Sequence, residues 1–302
     1  MIWLTWRQFR VQVLVAAVAL VVVAVVLGVT NTHPATVTTG GFLSHDHLLK
    51  FLSTGLVGVP AIVGAFWGAP LVARELETGT WRLAWTQSIT RARWLAIKVA
   101  IVGVVSIGVT GLLAVMLTAW SSPSSNLGRF GTAMFAERGV APLGYAAFAF
   151  AVGVTAGVLM RRTLPAMAAT LVVFLAARIL VQNWVRPHLA TPVTLSQALS
   201  AQNGAPAHAG PGDWVLSDHF VNAAGRVVNN VNCQGPTGPR GVQLAPPNDP
   251  SLRACLAGYR EVLTYQPTSR YWIFQGYEAA IFTGLALALI GLSFWWIHHR
   301  LR

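Results

Sequence analysis

The sequence predicts an all-α polytopic membrane protein: six transmembrane helices, an N-terminal interfacial helix, and a small disulfide-linked extracytoplasmic domain between helices five and six. Three observations carry that fold class. Of 302 residues, 54% are hydrophobic and 10% charged, against roughly a quarter charged in soluble domains, and the mean hydropathy is +0.57. The apolar excess is gathered in long runs, and about 20 helical residues cross a bilayer core of about 30 Å. The basic residues behind the net charge of +12 fall in alternate connections between the runs, as cytoplasmic loops do. That placement accounts for the charge without nucleic-acid binding, and the composition excludes disordered and collagen-like chains.

Six runs meet the length test: 11–29, 51–73, 99–120, 142–160, 164–185 and 273–297. The first four carry no charge, whereas the fifth contains Arg178 and the sixth Glu278. The first run is followed by no clear small-residue cleavage site, so it reads as a span and not as a cleaved leader. Within residues 1–10, Ile2, Trp6 and Phe9 share one helical face with Val13, and Thr5, Arg7, Gln8 and Arg10 lie around the other. Such a segment is either an amphipathic helix lying in the interface or an aromatic belt with a topology signal.

With the N-terminus inside, the inner connections hold eleven basic residues: Arg7, Arg10, Arg74, Arg82, Arg91, Arg93, Lys98, Arg161, Arg162, Arg300 and Arg302. The two short outer loops hold three, Lys50, Arg129 and Arg138. The expectation is a multi-pass plasma-membrane protein with both termini cytoplasmic, residues 298–302 forming a tail.

Residues 186–272 differ in kind. Ten prolines between Pro187 and Pro267 break any long helix, and a long translocated domain escapes the charge rule. Trp214 to Asn229 alternates as two short strands joined at Ala224 and Gly225. The chain's two cysteines, Cys233 and Cys255, both fall here. On the oxidising side they read as a disulfide that stabilises the domain by about 3 kcal/mol, the other reading being two buried thiols.

The inner connection 74–98 is the most polar part of that side. Gly79 breaks the chain, Thr80 caps a short turn carrying Trp81, Leu83, Ala84 and Trp85, and Thr90 caps the next span. This is either a docking element or a positive-inside loop with interfacial tryptophans. Its motifs, Arg74-Glu75, Glu77-Thr78-Gly79-Thr80 and Thr90-Arg91-Ala92-Arg93-Trp94-Leu95 closing at Lys98, resemble the first cytoplasmic loop of ABC-2-type ABC transporter permeases, particularly the actinobacterial subgroup. Trp3 to Arg10 and Tyr265 to Trp272 look like that subgroup too. The resemblance implies an N-terminal interfacial helix, six spans and a loop that couples to an ATPase subunit. By position the coupling residues are Glu75, Glu77, Gly79, Thr80, Trp81 and Arg82. It further implies a second permease copy or homologue, a membrane-lipid environment, and ATP and Mg bound by the partner ATPase instead of this chain. The outer domain is longer than in minimal permeases of the family, so its role does not transfer.

The chain's own chemistry is sparse. A P-loop needs Gly-Lys, and the two lysines, Lys50 and Lys98, follow Leu49 and Ile97, so no ATP hydrolysis and no enzyme activity are expected. His45, Asp46 and His47, and likewise His298 and His299, lack a third ligand at usable spacing, so no metal site is expected. Ser217, Asp218 and His219 alternate across a strand, which is wrong for a local triad.

Arg178 and Glu278 are costly in lipid and lie at similar depth. They either pair between helices five and six near the outer mouth or reach the interface separately. Small residues four apart mark close packing: Gly64 with Gly68, Gly153 with Gly157, and the row Gly276, Ala280, Gly284, Ala288, which suits packing within the subunit as well as a dimer. The expected function is an ABC exporter permease for a hydrophobic or amphipathic substrate. The competing class is a membrane sensor or anchor whose outer domain binds a ligand.

Overall fold

The computed structural model describes residues 2–32, 57–79, 90–120, 130–199, 210, 212–228, 231 and 250–300. Its elements in chain order are α1 (Ile2–Thr32), α2 (Val59–Thr78), α3 (Arg91–Trp120), the short α4 (Thr132–Glu137), α5 (Ala141–Met160), α6 (Thr163–His188), β1 (Val193–Ala198), β2 (Trp214–Asn222), β3 (Val227–Val228), α7 (Pro250–Ala257), β4 (Tyr259–Gln266) and α8 (Tyr271–Arg300). Among the described residues six helices, all but α4 and α7, are long and apolar enough to cross a membrane. The chain divides into two compact units. One is helical; the other comprises Pro187–Tyr271 with the short piece carrying Phe130.

Helix α1 is continuous over 31 residues. Its many valines have poor helix propensity in water, but in lipid every backbone group must bond internally, which favours the helix. No glycine or proline falls between Ile2 and Leu27. The separate interfacial helix expected over 1–10 is therefore the opening turns of α1.

Helix α2 carries Pro60 and Pro70 and a π turn at Gly64–Gly68. Pro70 has no N–H for the preceding turn, and the ladder widens just before it, with the Ala69 amide donating to the Gly64 carbonyl. The helix runs on to Thr78 and stops at Gly79, whose φ of 74° is the left-handed cap that glycine adopts freely. Helix α3 starts at Arg91, where the Arg93 amide donates to the Thr90 hydroxyl at 3.4 Å. The predicted Thr90 cap is present. The predicted loop 74–98, in contrast, is mostly helix at both ends, because its polar residues find partners on neighbouring helices. The predicted span 51–73 is helical from Val59 on, and Phe51–Leu56 lie outside the described residues.

Helix α5 is the most buried of the six. Its glycines bring backbones together: a Cβ on Gly153 would stand 2.3 Å from the Gly64 carbonyl oxygen, and one on Gly157 2.6 Å from that of Ala69. On α2, a Cβ on Gly64 would lie 2.4 Å from the Ala149 carbonyl oxygen. These two predicted glycine pairs form the α2–α5 contact. Among the described residues the third row has no packing partner: Gly276, Ala280, Gly284 and Ala288 are exposed, and no described atom lies within 4 Å of a Cβ on Gly276 or Gly284. The buried face of α8 is instead Phe274, Gln275, Glu278, Phe282, Ala286, Ser293 and Ile297.

Phe9, Val72, Trp94, Leu95, Val158 and Ile297 form one buried cluster. The start of α1, the end of α2, the start of α3, the end of α5 and the end of α8 thus share a layer, hereafter the basic end, since Arg74, Arg93, Arg161 and Arg300 also lie at these termini. Leu27, Leu113, Leu117 and Met134 make a second cluster toward the other end of α1 and α3.

The second unit corrects the all-α expectation. It holds a four-stranded antiparallel sheet in the order β1-β4-β2-β3. The predicted hairpin is β2 and β3. The Asn222 side chain accepts from the Ala224 and Arg226 amides at 3.1 and 2.9 Å, and Gly225 takes a φ of 76°. Strands β1 and β4 pair far apart in sequence, Leu195 opposite Leu263, a contact that local alternation does not reveal. Asp213, just before β2, ties it to the turn after β4, accepting from the Thr268 amide and hydroxyl at 2.7 and 2.6 Å. Of the predicted disulfide, Cys255 lies in α7 and Cys233 falls outside the described residues.

Candidate functional site

Two constellations in the helical unit bear on function. The first fastens the α2–α3 connection. Glu75, on the last turns of α2, forms an ion pair with Lys98 of α3. The Lys98 ammonium is buried and stands 4.7 Å from the Trp94 ring centroid. Glu77, two residues on, accepts from the Thr163 amide at 3.1 Å and the Thr163 hydroxyl at 2.8 Å. It therefore caps the first turn of α6, where the helix dipole favours an anion. Of the six coupling residues expected from the sequence, Glu75 and Glu77 are engaged within the chain. No described atom lies within 4 Å of a Cβ on Gly79, and Thr80, Trp81 and Arg82 lie outside the described residues.

The second constellation surrounds Glu278, which is fully buried. Arg186 donates to it through Nε at 2.8 Å and Nη2 at 2.9 Å, a bidentate fork. The Tyr145 hydroxyl donates to Oε1 at 2.6 Å, and Arg178 Nη1 stands 3.5 Å from the same oxygen. The predicted Arg178–Glu278 juxtaposition is present as an ion pair, but Arg178 Nη1 makes no hydrogen bond. Each guanidinium also lies over a ring, Arg178 over Tyr145 at 4.1 Å and Arg186 over Phe135 at 3.9 Å. Counting Arg178, Arg186 and Glu278, the cluster holds one excess positive charge.

A π turn places the two arginines together. Residues eight apart on a regular helix point about 80° from each other at 3.6 residues per turn. The π turn at Val181–Val185 absorbs about one extra residue, so Arg186 returns to the face of Arg178. Nearby, Gln275 of α8 accepts from the Ala141 amide and donates to the Phe135 carbonyl, both at 2.8 Å, joining α8 to the α4–α5 corner. At that corner Glu137 is buried, and its Oε1 has no hydrogen-bond partner. Burial pushes its carboxyl up to about 8, against the lowering influence of Arg138, the Val57 backbone and Arg178.

Sequence reasoning missed Arg186, Tyr145, Gln275 and Glu137. Arg186 sat just past the predicted end of the fifth span, and eight-residue spacing concealed its shared face with Arg178. Tyr145, a hydroxyl within the apolar fourth span, was the one available signal for a partner to Glu278.

Comparison with known proteins yields one family. The family model described as ABC-2 membrane transporter related matches residues 2–186. No curated protein and no solved structure matches.

Proposed function

We propose, from the premise that the chain belongs to the ABC-2 membrane transporter related family and is a multi-pass transporter permease subunit, that the connection from Gly79 to Thr90 receives the thrust of a separate ATPase. What supports this reading is that the α2 side of the connection is fastened to the bundle twice: Glu75 grips α3 through Lys98, and Glu77 grips α6 through Thr163. A push on the connection moves α2, α3 and α6 together. Thr80, Trp81 and Arg82 are the proposed contacts, with Glu75 and Glu77 transmitting the push and Gly79 serving as the joint. ATP and Mg belong to the ATPase, since this chain lacks the Gly-Lys of a P-loop.

The finer features of this reading are an exporter for hydrophobic or amphipathic cargo, working as a dimer in the plasma membrane with both termini cytoplasmic. The orientation draws support from the arginines gathered at the basic end. The exposed row Gly276, Ala280, Gly284 and Ala288 supports a packing surface toward a second copy or homologue. A Cys233–Cys255 disulfide in the sheet unit belongs to the same reading, resting on the two cysteines of the sequence falling in one segment on an oxidising side.

The test is ATPase stimulation in lipid by the chain co-purified with its ATPase, wild type against Trp81→Ala, Arg82→Ala and against Glu77→Ala. Loss of stimulation in the loop variant with the complex retained is the expected outcome. Full stimulation in both variants rejects the coupling site. Absence of any ATPase complex moves attention to a sensor role for the sheet unit.

A further inference from the structure

We propose that the cleft between α1, α2 and α3 at the basic end binds an anionic phospholipid, its headgroup at Arg74 and its chain against Phe9, Trp67 and Val102. The cavity measures about 450 Å³, within the roughly 300–1,000 Å³ of sites that hold small organic ligands. Its wall is divided by chemistry. Phe9, Trp67 and Val102 supply an apolar side, and Arg74, Glu75 and Lys98 a charged one.

Charge selects the headgroup. Glu75, the carboxylate in the wall, is neutralised by Lys98. Arg74 is exposed and forms none of the ion pairs among the described residues, so the lining has one uncompensated positive charge. A zwitterionic headgroup brings its own cation to that point, whereas a net anionic one does not. The apolar half selects a lipid over a soluble anion. Gln12 also borders the cavity, and beyond it α1 exposes Val15, Val18 and Val22, a continuous apolar track for the rest of the chain. A helix that crosses a bilayer at this point has phospholipid as its neighbour, so the occupant is at hand. The inference needs a membrane-spanning chain and does not rest on coupling to an ATPase.

The full-length chain, purified in mild detergent and stripped of lipid, is incubated with phosphatidylglycerol, with phosphatidylcholine of the same chains, or with glycerol phosphate, and retention is read by native mass spectrometry. Phosphatidylglycerol is expected to exceed phosphatidylcholine by about fivefold, the scale of one exposed ion pair. Arg74→Gln removes that preference, whereas Arg10→Gln and Arg93→Gln, exposed at the same end but outside the cavity, preserve it. Gln12→Trp, which fills the cleft, lowers retention of both lipids. Equal retention of the two lipids overturns the proposal. So does an equal loss in the Arg10 variant, which reduces the effect to diffuse surface charge. Full competition by glycerol phosphate overturns it as well, since the site would then be one for a free anion.

Discussion

Removing Arg186 should damage the fold far more than removing Arg178, although both face the same carboxylate. A hydrogen bond to a charged group contributes about 1.5–3 kcal/mol, and Arg186 makes two, at 2.8 and 2.9 Å. Deleting either arginine removes the excess positive charge and leaves Glu278 one cationic neighbour, so the two variants differ in the hydrogen bonds they lose. Arg186→Ala should therefore cost about 4 kcal/mol. Arg178 makes no hydrogen bond through the Nη1 atom that faces Glu278, so the loss is mainly its stacking on Tyr145, about 1 kcal/mol. A gap of about 3 kcal/mol is roughly a hundredfold in the unfolding equilibrium. The assay is SDS titration in mixed micelles, reading the folded fraction of Arg186→Ala, Arg186→Lys, Arg178→Ala and Glu278→Gln. Arg186→Lys should fall between wild type and Arg186→Ala, because it preserves the charge but not the fork. In double-mutant cycles with Glu278→Gln, Arg186 should couple more strongly than Arg178. Equal costs for the two alanine variants, or a greater one for Arg178→Ala, would refute the reasoning.

Other outcomes follow from the same geometry. With its carboxyl raised from 4.5 to about 8, Glu137 stays protonated in the folded chain while the unfolded chain releases its proton. Stability should therefore fall by about 1.4 kcal/mol per pH unit across that window and level off above it; Glu137→Gln should flatten a melting curve series taken from pH 5 to 9. Gly153→Ala places a Cβ 2.3 Å from a backbone oxygen and should cost about 1–3 kcal/mol, seen as a lowered melting temperature. Gly284→Ala meets nothing within 4 Å and should be neutral, or stabilising by up to about 1 kcal/mol. If a self-associated form exists, the same Gly284 change should weaken it, as read by crosslinking in vesicles.

The spans were legible because length and the absence of charge are strong signals in lipid. The α2–α5 glycines were legible because small residues four apart have few other uses in a buried helix. Helix ends were less so: the Thr90 cap marked where α3 starts, but Arg74–Thr78 read as loop from polarity, and the partners of Glu75 and Glu77, Lys98 and Thr163, are far enough in sequence to hide the helical continuation. The Gly276 row has the same spacing as the other glycines but faces outward, because α8 turns its aromatic and charged face inward, and sequence spacing does not say which face a neighbour occupies. Glu278 was legible as expensive, yet its principal partner depended on a π turn, a register change that no residue type announces. The sheet was half legible, since the β2–β3 hairpin is local and the β1–β4 pairing is not.

The way α1 is held has a bearing on how the chain is made. It touches the bundle at Phe9 and again near Leu27, and between them Val15, Val18, Val21 and Val22 are exposed. As the most apolar of the six helices, it can partition into the membrane alone as soon as it leaves the ribosome. Helix α2 is the least apolar and carries two prolines, and its glycines become buried only when α5 arrives: Gly64 meets Ala149 and Gly68 meets Gly153, each 85 residues later. Synthesis therefore has an interval in which α2 lacks its mate, so the insertion machinery must shelter it until α5 emerges, and mutations on the α5 glycines should show first as failed insertion of α2 rather than as a weakened finished protein.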